Sequence, residues 1–135
     1  GTPVVDMRRW VDTMASDWPA EGRAGTMANF EVRDDDTIAP WLTLKRHLKV
    51  LRGLWEHDPF KAFSHVQTPT LIIAVDDGNR GWKKEEPVQW ALDLLPTGRA
   101  EWFRGAHHDV HAQKPEEVAD LLHRAVSESD FFSNS

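Results

Sequence analysis

The hydrophobic residues of this chain recur at helical spacing in four stretches. A spacing of three or four residues places apolar side chains on one face of a helix, so each stretch predicts an amphipathic helix. Thr2 and Pro3 precede the first stretch, and a cap residue followed by proline is typical of a helix start. The four apolar stripes are Val4, Met7, Val11, Met14 and Trp18; Leu44, Leu48, Leu51 and Trp55; Val88, Leu92 and Leu95; and Val118, Leu121, Leu122 and Ala125.

Two segments predict strands in the second half of the chain. Residues 70–75 are apolar without alternation, which is typical of a strand buried on both faces in a parallel sheet. Residues 100–104, which contain the apolar pair Trp102-Phe103, are the second predicted strand, and a predicted helix lies between the two. Residues 66–126 therefore predict strand, helix, strand, helix, with parallel strands. The first half predicts a loop over residues 20–28 and a short strand pair, at Phe30–Val32 and from Ile38.

Composition narrows the class of protein. A chain of 135 residues with 40% hydrophobic and 28% charged residues is long enough for one globular domain. The absence of cysteine excludes disulfides and thiol nucleophiles and fits a reducing compartment, so we expect a cytoplasmic protein. The net charge of −6 argues against nucleic acid as a partner, and the lack of a long apolar run argues against a membrane partner. We predict Trp10, Trp18, Trp41 and Trp55 to be core residues of the first segment, or the lining of a substrate pocket.

Carboxylates and a histidine follow the two predicted parallel strands. Asp76 and Asp77 come directly after residues 70–75, and His108 lies just beyond Arg104. Because parallel strands end at the same edge of a sheet, we expect these loops to lie close together. An aspartate that orients a histidine makes two-thirds of a nucleophile–histidine–acid triad. We therefore predict a hydrogen bond between His108 and one of the two aspartates.

The order of these features resembles the C-terminal part of the α/β-hydrolase fold. The run Pro69-Thr70-Leu71-Ile72-Ile73-Ala74, an aspartate, a helix, Gly105-Ala106-His107-His108 and Pro115-Glu116-Glu117-Val118 follow one another as in that family. By this resemblance His108 matches the catalytic histidine, and His111 matches a position that is often a non-catalytic histidine. The resemblance implies a mainly helical cap over residues 1–59, the C-terminal part of the hydrolase core over 60–126 and a flexible tail over 127–135. It also implies an esterase-like reaction on a small-molecule substrate, without a cofactor.

Two departures from the family pattern shape the hypothesis. The acid loop Val75-Asp76-Asp77-Gly78 is shorter than usual, so either aspartate fits, and we favour Asp77 over Asp76. No G-x-S-x-G motif occurs, so the sequence lacks the usual serine nucleophile. We therefore interpret the chain as a fragment of a serine-type hydrolase that supplies the acid and the histidine. The expected partner is a complementary N-terminal polypeptide of the same hydrolase, with a homodimer or a domain swap as further options.

Other interpretations stay open. Dehalogenase and epoxide hydrolase chemistry differ from esterase chemistry mainly in the nucleophile, which this sequence does not contain. A non-catalytic binding or interaction module on the same scaffold would make Asp76-Asp77-Gly78 an ordinary turn. His107, His108 and His111 also form a candidate metal site. We predict no metal there, because the helix is expected to begin at Pro115, after the histidines.

Overall fold

A computed structural model describes residues 1–78 and 84–133 of the chain. Asn79, which the sequence pattern adds to the turn formed by Asp76-Asp77-Gly78, and residues 134–135 of the predicted tail lie outside the described residues. The chain forms two compact units, the first made of Gly1–His57 with His111–Lys114 and the second of Asp58–Val110 with the segment from Pro115 onward. Within the described ranges, no helix is both long and apolar enough to cross a membrane.

The first unit combines helices with a small antiparallel sheet. In the sheet, β3 lies between β1 and β2, and Val32 of β2 faces Ile38 of β3. The predicted strand pair is therefore confirmed. The elements within residues 1–57 are β1 (Thr2–Pro3), α1 (Val4–Met14), α2 (Ala20–Met27), β2 (Phe30–Val32), β3 (Thr37–Pro40) and α3 (Leu44–Glu56).

Helix α1 confirms the first predicted helix, although Thr2 and Pro3 form a short strand, and Pro3 occupies the N-cap position without a side-chain hydrogen bond. Val11 and Trp18, from the predicted stripe, are only 1% and 3% exposed. Arg23 donates to the Trp18 carbonyl oxygen and forms an ion pair with Asp12 at 3.3 Å. The apolar stripe and this arginine together pack α1 against α2.

The predicted loop over residues 20–28 is wrong, because Ala20–Met27 forms helix α2. Pro19 precedes the first turn, and Glu21 lies at the positive end of the helix dipole. Gly22 is buried so tightly that a Cβ atom there would lie 2.0 Å from the carbonyl oxygen of Ala112. Gly22 therefore permits close packing of α2. A cluster of small residues in a sequence is compatible with a packed helix as well as with a turn, so the local sequence does not distinguish the two.

Helix α3 confirms the second predicted helix, but its apolar stripe is exposed. Leu48 and Leu51 are 55% and 47% exposed, and Trp55 is 91% exposed. Trp10 and Trp41 are also more than half exposed, so the prediction that all four tryptophans are core residues holds only for Trp18. The spacing of apolar residues defines a face of the helix, but that face is buried only where another surface packs on it.

The second unit contains the predicted strand–helix–strand–helix order. Strands β4 and β5 pair in parallel, from Thr70 opposite Gly98 to Asp76 opposite Arg104, which confirms the predicted pairing. The α/β-hydrolase architecture stays a prediction, because a two-stranded parallel sheet is common to many α/β folds. The elements from residue 58 onward are α4 (Pro59–Phe63), β4 (Thr70–Asp76), α5 (Glu85–Leu94), β5 (Gly98–Arg104), α6 (Val110–Gln113) and α7 (Pro115–Ser127).

A small apolar cluster joins α7 to the strand pair. Val118 of α7 packs with Ala106 and Val110, which lie within and just after the loop of residues 105–109, called here the histidine loop. Ile73 and Val75 of β4 and Phe103 of β5 pack against this cluster. The core of the second unit therefore lies directly beneath the loop that carries the predicted catalytic histidine.

Phe131, in the polar segment after α7, is only 2% exposed. The Arg99 guanidinium lies 4.3 Å from the centroid of its ring and donates to its carbonyl oxygen at 2.6 Å. Phe132 meets the same ring edge-on, at 5.1 Å between centroids. This part of the predicted tail is therefore attached to β5, through a cation–π contact that the local sequence pattern does not indicate.

Candidate active site

The histidine loop is held at both ends by buried residues. Gly105 has a φ of 72°, a conformation that favours glycine, and its N–H donates to the Asp76 carbonyl oxygen at 2.6 Å. Ala106 and Val110 are 1% and 6% exposed and belong to the core cluster. His107 and His108, between these anchors, are exposed. The sequence Gly-Ala-His-His thus presents two imidazoles to solvent at the carboxyl end of β5.

Asp76 ends β4, and both of its carboxylate oxygens accept hydrogen bonds. Oδ1 accepts from the N–H of Gly78 at 2.9 Å, and Oδ2 accepts from the Arg104 guanidinium at 3.0 Å. Gly78 turns the chain with a φ of 77°. The hydrogen bond from Gly78 is the main cause that lowers the pKa of Asp76 below its ordinary value of 3.8, and Arg104 lowers it further.

Arg104 connects Asp76 to the first turn of α5. The same guanidinium nitrogen lies 3.1 Å from a Glu85 carboxylate oxygen, and the Arg104 Cζ atom lies 4.8 Å from the centroid of the Trp102 ring. The adjacent Lys84 donates to the Val75 carbonyl oxygen at 2.9 Å. Sequence reasoning missed Lys84, Glu85 and Arg104. The observed register of β4 against β5 places Arg104 beside Asp76, and spacing along the chain indicates this contact only indirectly.

His107 is ordered by its neighbour in the chain. Its Nδ1 accepts a hydrogen bond from the Asp109 N–H at 3.1 Å and lies 3.7 Å from an Asp109 carboxylate oxygen. An accepting Nδ1 places the proton of the neutral ring on Nε2. His107 is therefore engaged within its own loop.

The structure brings the predicted triad residues to one edge of the parallel pair without joining them. Asp76 and Asp77 follow β4, and His108 lies four residues beyond the end of β5. Among residues 1–78 and 84–133, no hydrogen bond links His108 to Asp76 or Asp77. The triad roles of His108, Asp77 and Asp76 therefore stay predictions.

His111 is the third histidine of the candidate metal site. It belongs to the short helix α6, so the expectation that no helix begins before Pro115 is wrong. It also falls in the first compact unit, whereas His107 and His108 fall in the second. In the described part of the chain, no three histidine or carboxylate side chains are grouped closely enough to hold a metal ion.

An open cavity of about 740 Å³ lies at the amino end of β5, away from the histidine loop. Arg99, which lines the cavity, forms an ion pair with Glu101 at 2.6 Å, so its positive charge is already compensated. Its lining includes Asp93, Thr97, Arg99, Glu101, Trp102 and Phe132. Asp76, Asp77 and His108 are not among the lining residues, and we assign this cavity no function.

Two rice proteins are similar to part of this chain. Both are named probable esterase PIR7A, from Oryza sativa subsp. indica and subsp. japonica, and both are 35% identical to this chain over 60 residues. The matched segment is 44% of this chain and 22% of each rice protein, so the chain matches less than a quarter of their length. No family model matches the chain, and no solved structure matches it. The similarity indicates a general relationship to esterases and identifies no catalytic residue.

Proposed function

We propose that this chain supplies the histidine and the acid of an esterase-like hydrolase of the α/β-hydrolase type. His108 is the general base, and Asp77 or Asp76 is the acid that orients it. The observation that carries the proposal is the common location of two aspartates and an exposed histidine at the carboxyl edge of β4 and β5. The partial similarity to a probable esterase supports the same interpretation.

In this proposal the reaction is acyl transfer from a small ester. A serine hydroxyl is a weak nucleophile, so His108 takes its proton as the oxygen attacks the ester carbonyl. His108 then gives that proton to the leaving alcohol, and it later activates the water that releases the acid. Imidazole suits both steps because it gains and loses a proton near neutral pH. The aspartate stabilises the protonated ring, and no cofactor takes part.

The serine belongs, in this proposal, to a complementary N-terminal polypeptide of the same hydrolase. Two observations support such a partner. The apolar face of α3 is exposed, with Leu44 at 73% and Trp55 at 91%. Within the described residues β4 pairs only with β5, whereas parallel sheets are normally larger and covered on both faces.

A non-catalytic interaction module is the second candidate. The observation that favours it is the engagement of Asp76 by Gly78 and Arg104, together with the lack of a hydrogen bond from His108 to either aspartate in the described chain. A dehalogenase or epoxide hydrolase would use the same histidine with a different nucleophile, so these chemistries are variants of the first proposal.

The test is His108→Ala in the complex of this chain with its N-terminal polypeptide, assayed with aryl esters. We expect kcat to fall by about 10²–10⁴-fold, the usual contribution of general acid–base catalysis. His107→Ala is the matched control, because His107 is adjacent and also exposed but bonds to Asp109. It should change kcat by less than about tenfold. Circular dichroism verifies that both variants keep their helices.

Near-normal turnover by His108→Ala would reject the catalytic role and favour the interaction module. A loss as large in His107→Ala as in His108→Ala would reject the assignment of the base to His108 alone. An active complex in which only His108 is essential supports the proposal.

A further inference from the structure

We infer that Asp76 is a positioning residue, tied with Arg104 and Glu85 into an ion-pair clamp that fixes the carboxyl ends of β4 and β5, and that Asp77 is the acid that orients His108. The role of Asp77 rests on the proposed function. The clamp, defined as Asp76, Arg104 and Glu85, is independent of the proposed function.

The strand register brings the clamp together. Asp76 and Arg104 are directly paired at the ends of β4 and β5, and side chains at paired positions leave a sheet on the same face. Trp102, two residues before Arg104, lies on that face too and places its ring beside the guanidinium. The guanidinium is therefore held by two carboxylates and one ring, a geometry that a lysine at this position would not reproduce.

The backbone around Asp76 ties three segments to one point. The Asp76 carboxylate accepts from Gly78 in the acid turn, and its carbonyl oxygen accepts from Gly105 at the start of the histidine loop. The neighbouring Val75 carbonyl oxygen accepts from Lys84 beside α5. Loss of the Asp76 side chain is thus expected to loosen both loops that carry the predicted catalytic residues.

Charge argues against Asp76 as the orienting acid. An orienting aspartate acts through its negative charge, which stabilises the imidazolium that forms during catalysis. The charge of Asp76 is already compensated by Arg104 at 3.0 Å, with Lys84 as a second positive group nearby. Glu85, the other acidic group here, shares the same guanidinium. Asp77 follows one position later, beyond the end of β4, and its side chain is exposed at the same edge of the sheet.

The structural arm of the test uses this chain alone, with hydrogen exchange read at the Gly78 and Gly105 amides. Asp76→Ala removes the acceptor of the Gly78 amide, and Asp76→Ala and Arg104→Ala both break the charge-assisted pair that holds the two strand ends together, so each variant should speed exchange at these amides by about tenfold. Asp77→Ala, one residue away, is the matched control and should leave both rates within about twofold. Asp76→Asn retains an acceptor for Gly78 and should restore slow exchange there. Unchanged exchange in both Asp76→Ala and Arg104→Ala overturns the clamp.

The functional arm uses the complex and separates a positioning role from a catalytic one. Asp77→Asn should lower kcat by about 10³–10⁴-fold, because a neutral amide does not stabilise the imidazolium. Asp76→Ala should cost less, and Asp76→Asn should recover most of that loss. If Asp76→Asn abolishes turnover while exchange at Gly78 stays slow, Asp76 is the acid and the inference is wrong. If even the unsubstituted complex hydrolyses no ester, the proposed function fails, the assignment of Asp77 fails with it, and the exchange data alone decide the clamp.

Discussion

Helices α3 and α7 are each 13 residues long and each carry an apolar stripe, but α7 buries part of its stripe and α3 buries none of its own. Val118 and Leu121 of α7 are 8% and 3% exposed, whereas Leu48 and Leu51 of α3 are 55% and 47% exposed. Helix α7 packs through Val118 on the core of the second unit, next to the strand pair. The comparison teaches that a periodic pattern specifies which face of a helix is apolar, while burial depends on a second surface.

The exposed stripe of α3 has an energetic consequence. An isolated helix of about 13 residues is marginal in water, and most helical stability in proteins comes from packing an amphipathic face. Lys45, Arg46, Lys49 and Arg52 supply a basic polar side that stays hydrated. We therefore expect α3 to gain most of its stability when a partner surface covers its leucines, which fits the proposed complementary polypeptide.

The largest effect that separates the two helices should come from matched leucine truncations. Leu121→Ala removes a buried side chain from α7 and should lower the free energy of unfolding by about 2–5 kcal/mol. Leu48→Ala in α3 should change it by no more than about 0.5 kcal/mol, because the side chain is already exposed. Urea unfolding of this chain measures both. Equal losses in the two variants would mean that α3 is covered in solution, and the contrast between the helices would disappear.

Much of the fold was predictable because its signals are local. The stripes of α1, α3, α5 and α7 identify the helices, and the apolar run over residues 70–75 identifies β4 as a strand of a parallel pair. Helix α2 was missed because its glycine and alanine residues carry no apolar period, and the tight position of Gly22 depends on the distant residue Ala112. The exposure of Trp41 and Trp55 was missed although their apolar pattern is clear, because such a pattern does not indicate whether another surface packs on these side chains.

The candidate site was predictable in its location but not in its bonding. The pattern of strands placed Asp76, Asp77 and His108 at one sheet edge, as the structure has them. It did not predict that Arg104 pairs with Asp76, because that contact joins residues 28 positions apart through strand register. Side-chain partners of this kind follow from three-dimensional pairing, which spacing along the chain specifies only indirectly.

A smaller effect should reveal how tightly the first unit is packed despite the exposure of α3. Gly22→Ala would place a Cβ atom 2.0 Å from the Ala112 carbonyl oxygen, so the backbone must shift, at a cost of about 1–3 kcal/mol. Gly25 lies in the same helix, and a Cβ atom added there would meet no atom within 4 Å, so Gly25→Ala should stabilise by up to about 1 kcal/mol. Thermal unfolding distinguishes the two signs. If Gly22→Ala and Gly25→Ala both stabilise the protein, α2 does not approach Ala112 in solution.

The smallest effect compares one acidic residue from each unit as pH falls. Hydrogen bonds from the Thr37 hydroxyl and N–H lower the pKa of Asp35, and those from Gly78 and Arg104 lower the pKa of Asp76, both from an ordinary value of 3.8. A depressed folded-state pKa stabilises the fold above the unfolded value, and this contribution is lost as pH falls through the folded-state value. Stability of each unit should therefore decrease below about pH 4.

Substitution should remove that pH dependence one unit at a time. Asp76→Asn should flatten the acid decline for the second unit alone, where Arg104, Lys84 and Glu85 are charged neighbours of Asp76 among the described residues. Asp35→Asn should do so for the first unit alone, where Arg33 and the amino terminus are its charged neighbours. Urea midpoints from about pH 2 to 6, read at the amides of Ile38 and Ala74, report on the units separately.

Because both carboxylates are solvent-accessible, salt should weaken the Arg104 contribution to Asp76, while the hydrogen bonds from Thr37 to Asp35 should be less sensitive to salt. If Asp76→Asn leaves the acid decline at Ala74 unchanged, neither the hydrogen bond from Gly78 nor the ion pair with Arg104 stabilises the Asp76 carboxylate in solution, and the second unit owes its order to the apolar cluster beneath the histidine loop.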